Sequence, residues 1–148
     1  MSWPARVRKG VTNDQVAISM DWVPTLLTAA GARPDDSYPL DGMNLLASIT
    51  GDSLPVPRKL FWRYKNNLQR AHRDADFKYL KIRNNTFLFN VANDPMERAN
   101  LKERRKDVYE RLVKQWNDWN AQMLAIVPES ATIGFPAPLY ADHIGVEP

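Results

Sequence analysis

The side chains that usually perform nucleophilic or metal chemistry are scarce in this sequence. None of the 148 residues is Cys, which excludes disulfides, thiolate metal sites and cysteine nucleophiles. The two histidines, His72 and His143, lie far apart in sequence, so a histidine-rich metal site is not expected. Asp35 and Asp36 are adjacent, but a hard cation needs about six to eight oxygens from several segments. We therefore predict no metal site in this chain.

Positive charge is concentrated in one segment, residues 58–83. The whole chain carries a net charge of only +3, but this segment holds nine Lys or Arg residues and two acidic ones. Such a surface attracts anions, although a solvated basic face explains the same pattern without a ligand. One alternative function is therefore a nucleic-acid or other anion-binding module, in which aromatic side chains of the segment stack on bases. The aromatic candidates are Phe61, Trp62 and Tyr64.

The N-terminal third of the chain predicts short elements separated by turns. Residues 1–10 have the pattern of an extended edge strand. A helix is predicted over residues 21–31, with Asp21 as its N-cap. A second, short apolar helix is predicted over residues 43–50.

The middle of the chain predicts a small antiparallel sheet of three or four strands. Bulky and aromatic residues dominate short runs that are bounded by turn signals such as Asn84-Asn85. The strand candidates are residues 60–64, 70–73, 77–82 and 86–90. The run over residues 70–73 is the weakest of them, which is why the number of strands stays open.

A long amphipathic helix is predicted over residues 103–126. Its apolar residues recur every three or four positions and therefore share one face. They are Val108, Leu112, Trp116, Trp119, Met123 and Ile126. Upstream, Asp94, Pro95 and Glu97 predict a capping box, a structural rather than a catalytic feature. Residues 128–148 contain four prolines and are predicted to form an irregular tail.

Two stretches in a fixed order carry the most specific pattern. The first contains Asp21–Leu27, with Ala30-Gly31 behind it, and is followed by Leu40-Asp41-Gly42. The second joins Phe87–Asn90 to Asn93–Glu97 and Asn100-Leu101. Over roughly residues 3–120 the chain thereby resembles the C-terminal part of arylsulfatase-type sulfatases. That family has D-x-x-P-T-L-L-x-x-A-G, an L-D-G turn, and an L-Y-D-L-like strand followed by D-P-x-E-x-x-N-L.

The resemblance implies the last part of an alkaline-phosphatase-like α/β fold. Residues 1–52 are then expected to be a remnant of the large domain, with an edge strand and two helices. Residues 53–127 are expected to form the C-terminal subdomain, and residues 128–148 the tail. The expected fold class is α+β, a small antiparallel sheet with a long amphipathic helix packed on it, preceded by the strand–helix remnant.

The resemblance also implies a formylglycine nucleophile, made from Cys or Ser in a C/S-x-P-x-R context, and a calcium ion held by Asp and Asn. The nearest imitation, Ser53–Arg58, places its Arg one position too late. No catalytic residue or metal ligand of the family can therefore be placed on this chain. We expect an inactive part of a sulfuric-ester hydrolase, whose cofactor and chemistry belong to a missing N-terminal catalytic domain, its implied partner.

The resemblance further makes Arg63, Lys65 and His72 candidate substrate-lining residues, because the corresponding strand and loop of relatives can face the mouth of the pocket. A homo-oligomer is expected through apolar side chains that the large domain would cover. These are Trp3, Val7, Val16, Ile18 and Leu26. No membrane partner is predicted, because no apolar run approaches the ~20 residues needed to span a bilayer. A structural or interaction module that shares the fold without a ligand is a further alternative. The substrate, whether an aryl, choline or sugar sulfate or a phosphonate ester, stays open.

Overall fold

The structure is a computed structural model that describes residues 2–64 and 68–125. The chain divides into two compact units after Pro57. Lys65, Ile126 and the predicted tail over residues 128–148 lie outside the described residues.

The first unit contains two short helices. Helix α1 (Trp22–Ala29) follows a 3-10 turn over Ser19–Asp21, and helix α2 (Leu46–Thr50) ends at a left-handed glycine. Helix α2 starts three residues later than predicted because an upstream side chain competes for its backbone. The side-chain oxygen of Asn44 accepts a hydrogen bond from the N–H of Leu46 at 2.9 Å.

The edge strand predicted over residues 1–10 is wrong for the described part of this unit. The carbonyl of Trp3 accepts hydrogen bonds from the N–H groups of Arg6 and Val7, so the chain turns there. The physical reason is that a strand needs a neighbour, and residues 2–57 contain no other strand that could pair with it.

The second unit is built on a four-stranded antiparallel sheet, which confirms the predicted sheet. Its strands lie in the order β1-β2-β3-β4 along the sheet. They are β1 (Lys59–Tyr64), β2 (Gln69–Asp74), β3 (Phe77–Ile82) and β4 (Asn85–Asn90). The weakest candidate, residues 70–73, is therefore part of β2, one of the two inner strands. The hairpin between β3 and β4 turns at Arg83-Asn84, one residue earlier than predicted, and Arg83 has a φ of 52°.

One long helix, α3 (Lys106–Asn120), packs on one face of the sheet, as the sequence predicts. Its apolar face meets the sheet in a single buried cluster. The members of that cluster are Tyr79, Leu88, Val108, Leu112 and Trp116. The helix is shorter at both ends than the predicted range of 103–126, while the α+β architecture is confirmed.

The capping box predicted around Asp94 is wrong, since no helix begins there. The side chain of Asp94 accepts the N–H of Ala99 at 2.8 Å, and its carbonyl accepts the N–H of Glu97 at 3.0 Å. These bonds close a loop, and Glu97 itself takes a left-handed backbone with a φ of 52°. Its carboxylate pairs with Lys78 instead of capping a helix.

Candidate functional site

Strand pairing divides the basic segment between the two faces of the sheet. Residues directly opposite one another on antiparallel strands point to the same face. Phe61 on β1 is opposite His72 on β2, which is opposite Tyr79 on β3, and this row faces α3. The next residues along, Trp62 on β1 and Ala71 on β2, point to the opposite face.

His72 lies in the core beneath α3, which corrects its prediction as a substrate-lining residue. Its side chain is 0% exposed. The ring stacks on Phe61 with centroids 4.1 Å apart. Its Nδ1 lies 3.1 Å from the carbonyl of Leu60, and its Nε2 lies 2.8 Å from the side-chain oxygen of Gln115. With both nitrogens occupied, His72 ties β1, β2 and α3 together.

Arg63 is the one candidate substrate residue that reaches the surface within the described chain, and it is half-buried. Its Nη1 donates to the side-chain oxygen of Asn120, the last residue of α3, at 3.4 Å. Arg63 therefore lies at the edge strand, beside the C-terminal end of the helix. The structure separates it from His72, because they occupy different rows of the sheet.

The three aromatic residues proposed for base stacking do not share one surface. Phe61 is stacked between His72 and Trp119, whose ring centroid lies 5.2 Å away. Trp62 and Tyr64 point to the other face, where both are exposed. The alternation of β1 thus separates Phe61 from the exposed pair Trp62 and Tyr64.

The sheet face opposite α3 carries a pocket of about 520 Å³. Its charged wall is an ion pair, in which Lys78 donates to both carboxylate oxygens of Glu97 at 2.7 and 3.0 Å. The full lining is Trp62, Ala71, Arg73, Lys78, Leu80, Val91, Pro95 and Glu97. An indole ring beside fixed charges suits the binding of a polar ring compound, and the described lining contains no Ser, Thr or Cys. Sequence reasoning missed this pocket, because the chain segments that form it are up to 35 residues apart.

A buried carboxylate links the two parts of the first sequence pattern in the first unit. Asp21 is 2% exposed, and its oxygens accept the N–H groups of Ile18 and Met43, both at 2.8 Å. Asp21 occupies the predicted N-cap position of α1, but its side chain makes no capping hydrogen bond to that helix. One turn later, Thr25 Oγ1 accepts the N–H of Leu45 at 2.9 Å. Asp21 and Thr25 thus hold the segment that follows Leu40-Asp41-Gly42 against α1.

An apolar groove of about 480 Å³ runs along the same unit between residues 13–19, α1 and α2. Trp22, Leu45 and Ile49 contribute much of its wall. Its only carboxylate, Asp21, is already bonded to two backbone groups. The groove therefore has the character of a packing surface rather than a reaction site.

The described residues do not fit a calcium site. Within residues 2–64 and 68–125 there is no group of three or more His, Asp or Glu side chains that could hold a metal ion. The adjacent acidic residues Asp35 and Asp36 are part of a turn, in which the side chain of Asp35 accepts the N–H of Ser37 at 2.8 Å. In the same described ranges, no helix has both the length and the apolar character needed to cross a membrane.

Comparison with known proteins finds similar folds among solved structures. No protein-family model and no curated protein matches the sequence. Among solved structures, Ps i-CgsB superposes with a TM-score of 0.66 at 25% identity, over 79% of this chain and 27% of that one. The putative sulfatase yidJ from Bacteroides fragilis gives a TM-score of 0.61 at 17% identity, over 81% of this chain and 28% of that one. This chain has the fold of the C-terminal portion of a sulfatase.

A third similar structure was solved with a bound substrate. It is BT4656 in complex with its substrate D-glucosamine-2-N,6-O-disulfate, with a TM-score of 0.62 at 18% identity, over 81% of this chain and 27% of that one. The chain therefore spans about a quarter of the length of the sulfatase structures that it matches. Its sheet and α3 correspond to the C-terminal subdomain of the sulfatase fold.

Proposed function

We propose that this chain is the C-terminal subdomain of a sulfuric-ester hydrolase of the arylsulfatase type. In this proposal it completes the substrate pocket of the whole enzyme and does not hydrolyse sulfate esters by itself. The supporting observation is the match of 79% of this chain to 27% of Ps i-CgsB, with a TM-score of 0.66.

The chemistry of sulfate-ester hydrolysis supports inactivity of the isolated chain. The reaction needs a nucleophile, positive charge for the developing anion, and an acid for the leaving oxygen. The chain has no Cys, and His72 is buried with both ring nitrogens occupied. A formylglycine nucleophile and a calcium ion, as implied by the family resemblance, would both reside in the N-terminal catalytic domain.

We propose that Arg63 on β1 and Lys65, which lies outside the described residues, contribute to the non-sulfate part of the substrate pocket. Arg63 is half-buried at the edge strand, where its guanidinium can donate to hydroxyl or anionic groups. Related structures were solved with k-i-k-neocarrahexaose and with D-glucosamine-2-N,6-O-disulfate. These ligands support a sulfated carbohydrate as the substrate class.

The first experiment measures hydrolysis of an aryl sulfate and of D-glucosamine disulfate, with calcium present. The 148-residue chain is compared with a longer protein that contains it together with an N-terminal sulfatase domain. We expect turnover by the longer protein and none by the chain alone. Turnover by the chain alone would overturn the proposal, since it would require a nucleophile within these residues.

The second experiment tests the pocket contacts in the longer protein. Arg63→Ala and Lys65→Ala are expected to raise KM about tenfold each with little change in kcat, because they remove substrate binding rather than chemistry. Lys59→Ala, on the same strand and exposed, is the matched control. Unchanged KM in both variants would remove Arg63 and Lys65 from the pocket.

A further inference from the structure

Three cationic side chains lie side by side on the helix face of the sheet. Arg70 on β2 is directly opposite Arg63 on β1 and, on its other side, directly opposite Lys81 on β3. Directly opposed residues have Cβ atoms about 4.5–5.5 Å apart, and like charges in such positions destabilise a sheet. The row Arg63–Arg70–Lys81, called the cationic row below, therefore carries a cost in the free protein.

The carboxylates of the described chain do not neutralise the cationic row. Asp74, on the same face, pairs with Arg111, and Asp118 on α3 pairs with Lys114 at 2.6 Å. Within residues 2–64 and 68–125, no ion pair includes a member of the row. Among the described residues, the partner of Arg63 is a neutral amide oxygen, that of Asn120 at the long distance of 3.4 Å.

Arg70, the centre of the row, has an unused donor. Its guanidinium lies over the ring of Trp116, 4.4 Å from the centroid. Its Nε is buried and has no hydrogen-bond partner among residues 2–64 and 68–125. A buried N–H without an acceptor costs free energy, and the cost is larger for a charged group. Packing on the indole holds the planar donor group of Arg70 in place, and no carboxylate of the described residues pairs with it.

The C-terminal end of α3 explains only part of this arrangement. A helix C-terminus carries about half a negative charge, which favours cations near its last turn. The helix ends at Asn120, beside Arg63. Half a charge does not balance three cations, and it leaves the Nε of Arg70 without an acceptor.

We propose that the cationic row binds a tetrahedral oxyanion, the sulfate or phosphate group of a ligand. Two guanidinium groups supply fork-shaped donors that match such oxygens, and Lys81 adds a point charge. Binding would give the Nε of Arg70 its acceptor and remove the repulsion along the row. The site shares Arg63 with the proposed substrate pocket, but it does not depend on sulfatase activity.

The test is an NMR titration of the 148-residue chain with inorganic sulfate, and separately with inorganic phosphate, at constant ionic strength set by chloride. The observed signals are the side-chain Nε–H resonances of arginine and the backbone amides of β2. We expect a saturable shift of the Arg70 Nε–H signal. The tighter of the two anions then identifies the natural group as a sulfate or a phosphate.

Three variants and one control locate the binding. Arg63→Met, Arg70→Met and Lys81→Met each keep the aliphatic stem, and each is expected to weaken binding about tenfold, as loss of a charged hydrogen bond predicts. Lys59→Met removes the same charge from β1 four residues away and is expected to change affinity less than about twofold. Since Arg63 and Lys81 are at the ends of the row, their variants test the site even if Arg70→Met fails to fold.

A shift that rises linearly without saturation, or an equal loss in Lys59→Met, would overturn the proposal, because either result means general charge attraction. The outcome is separable from the proposed function. An inactive chain that binds sulfate at the row supports both proposals. An inactive chain that does not bind sulfate rejects only this site, and a chain that turns over sulfate ester rejects only the proposed function.

Discussion

The carboxylate of Asp21 accepts a hydrogen bond from the backbone N–H of Met43 at 2.8 Å, across 22 residues of sequence. Its other oxygen accepts the N–H of Ile18 at the same distance. The carboxylate is buried, and these two bonds supply acceptors for two part-buried backbone N–H groups. The bond to Met43 explains why an aspartate at the start of α1 and an L-D-G turn occur together in the sequence pattern.

Asp21→Asn is expected to loosen the first unit. An amide has one oxygen, so one of the two backbone N–H groups would face an NH₂ group and lose its acceptor, at a cost of about 1–3 kcal/mol. The measurement is amide hydrogen exchange, in which Ile18 and Met43 should exchange at least about tenfold faster. Asp35→Asn is the control, because its exposed side chain can keep its single bond to Ser37 through the amide oxygen. Unchanged exchange at both amides of the Asp21 variant would contradict the linking role.

Gly42→Ala tests the close approach of the L-D-G turn to the chain before α1. A Cβ at this position would lie 2.1 Å from the carbonyl oxygen of Met20, and that oxygen belongs to rigid backbone. The turn must therefore move, and we expect a loss of about 2–4 kcal/mol together with faster exchange of the Met43 amide. Gly10→Ala is the control, since a Cβ there meets nothing within 4 Å and only the φ of 72° opposes it, at about 1 kcal/mol. Equal effects of the two variants would show that space at Gly42 is not limiting.

The buried His72 makes Gln115 important for the stability of the second unit. Nδ1 of His72 lies 3.1 Å from the carbonyl of Leu60, and its Nε2 lies 2.8 Å from the side-chain oxygen of Gln115. Gln115→Leu leaves Nε2 buried without a partner and is expected to cost about 1–3 kcal/mol in urea unfolding followed by tryptophan fluorescence. Gln122→Leu, which loses only an exposed bond to the carbonyl of Asp118, should change stability by less than about 0.5 kcal/mol. An unchanged free energy of unfolding in the Gln115→Leu variant would show that Nε2 needs no partner.

The raised pKa of the buried Tyr79 phenol predicts that the protein loses stability at alkaline pH. Burial is the largest cause that raises the pKa of its phenol from 10.0 to about 12, and the charge of Arg70 opposes it in part. Between these two values the unfolded chain loses the proton and the folded chain keeps it. Stability should therefore fall from about pH 10 to about pH 12, by on the order of 2 kcal/mol.

Tyr79→Phe is expected to flatten that alkaline decline, as measured by urea unfolding at pH 9, 10 and 11. The lysines titrate in both proteins, so the difference between the two curves isolates the phenol. Tyr38→Phe, at an exposed position, is the control and should keep the decline. If stability falls with pH equally in Tyr79→Phe and in the unchanged chain, the Tyr79 phenol is not the cause of the alkaline decline.

The sequence predicted the sheet and α3 well because both have strong local patterns. The apolar period of α3 gave its buried residues Val108, Leu112 and Trp116, and turn residues separated the strands. Two polar side chains were interpreted wrongly for one reason. Asp21 occupies the N-cap position of α1, but its carboxylate bonds to the N–H groups of Ile18 and Met43 rather than to that helix. Glu97 fitted a helix-start pattern, but its carboxylate pairs with Lys78. Local spacing cannot show which distant group a carboxylate will meet.

The candidate site was harder to predict than the fold. His72 is polar and lies in a basic segment, so its sequence context suggests the surface. Inside the fold its Nε2 is partnered by Gln115, which is 43 residues away. The cationic row likewise appears only with the register that places Arg70 between Arg63 and Lys81. A one-residue change of register would move these side chains to the other face, and composition alone does not fix the register.

The exposed apolar surface of α1 predicts self-association of the chain. Four large apolar side chains on α1 and the turn before it are exposed to solvent. They are Met20, Trp22, Val23 and Leu26, with exposed fractions of 44%, 48%, 52% and 53%. Of the residues expected to form this surface from the sequence, Leu26 is among the most open, while Trp3, Val7, Val16 and Ile18 are half-buried. An apolar patch of this kind is normally covered by another protein surface. Without a catalytic domain, we expect a second copy to cover it.

Light scattering coupled to size exclusion over a range of concentrations measures this association, and we expect a dimer. The double variant Val23→Glu and Leu26→Glu should be monomeric, because two charges would be buried in the contact. Leu124→Glu is the matched control, since Leu124 is 86% exposed and lies in the other unit, and it should leave the dimer intact. A monomer at every concentration of the unchanged chain would contradict the prediction. A dimer that survives the double variant would place the contact elsewhere on the chain.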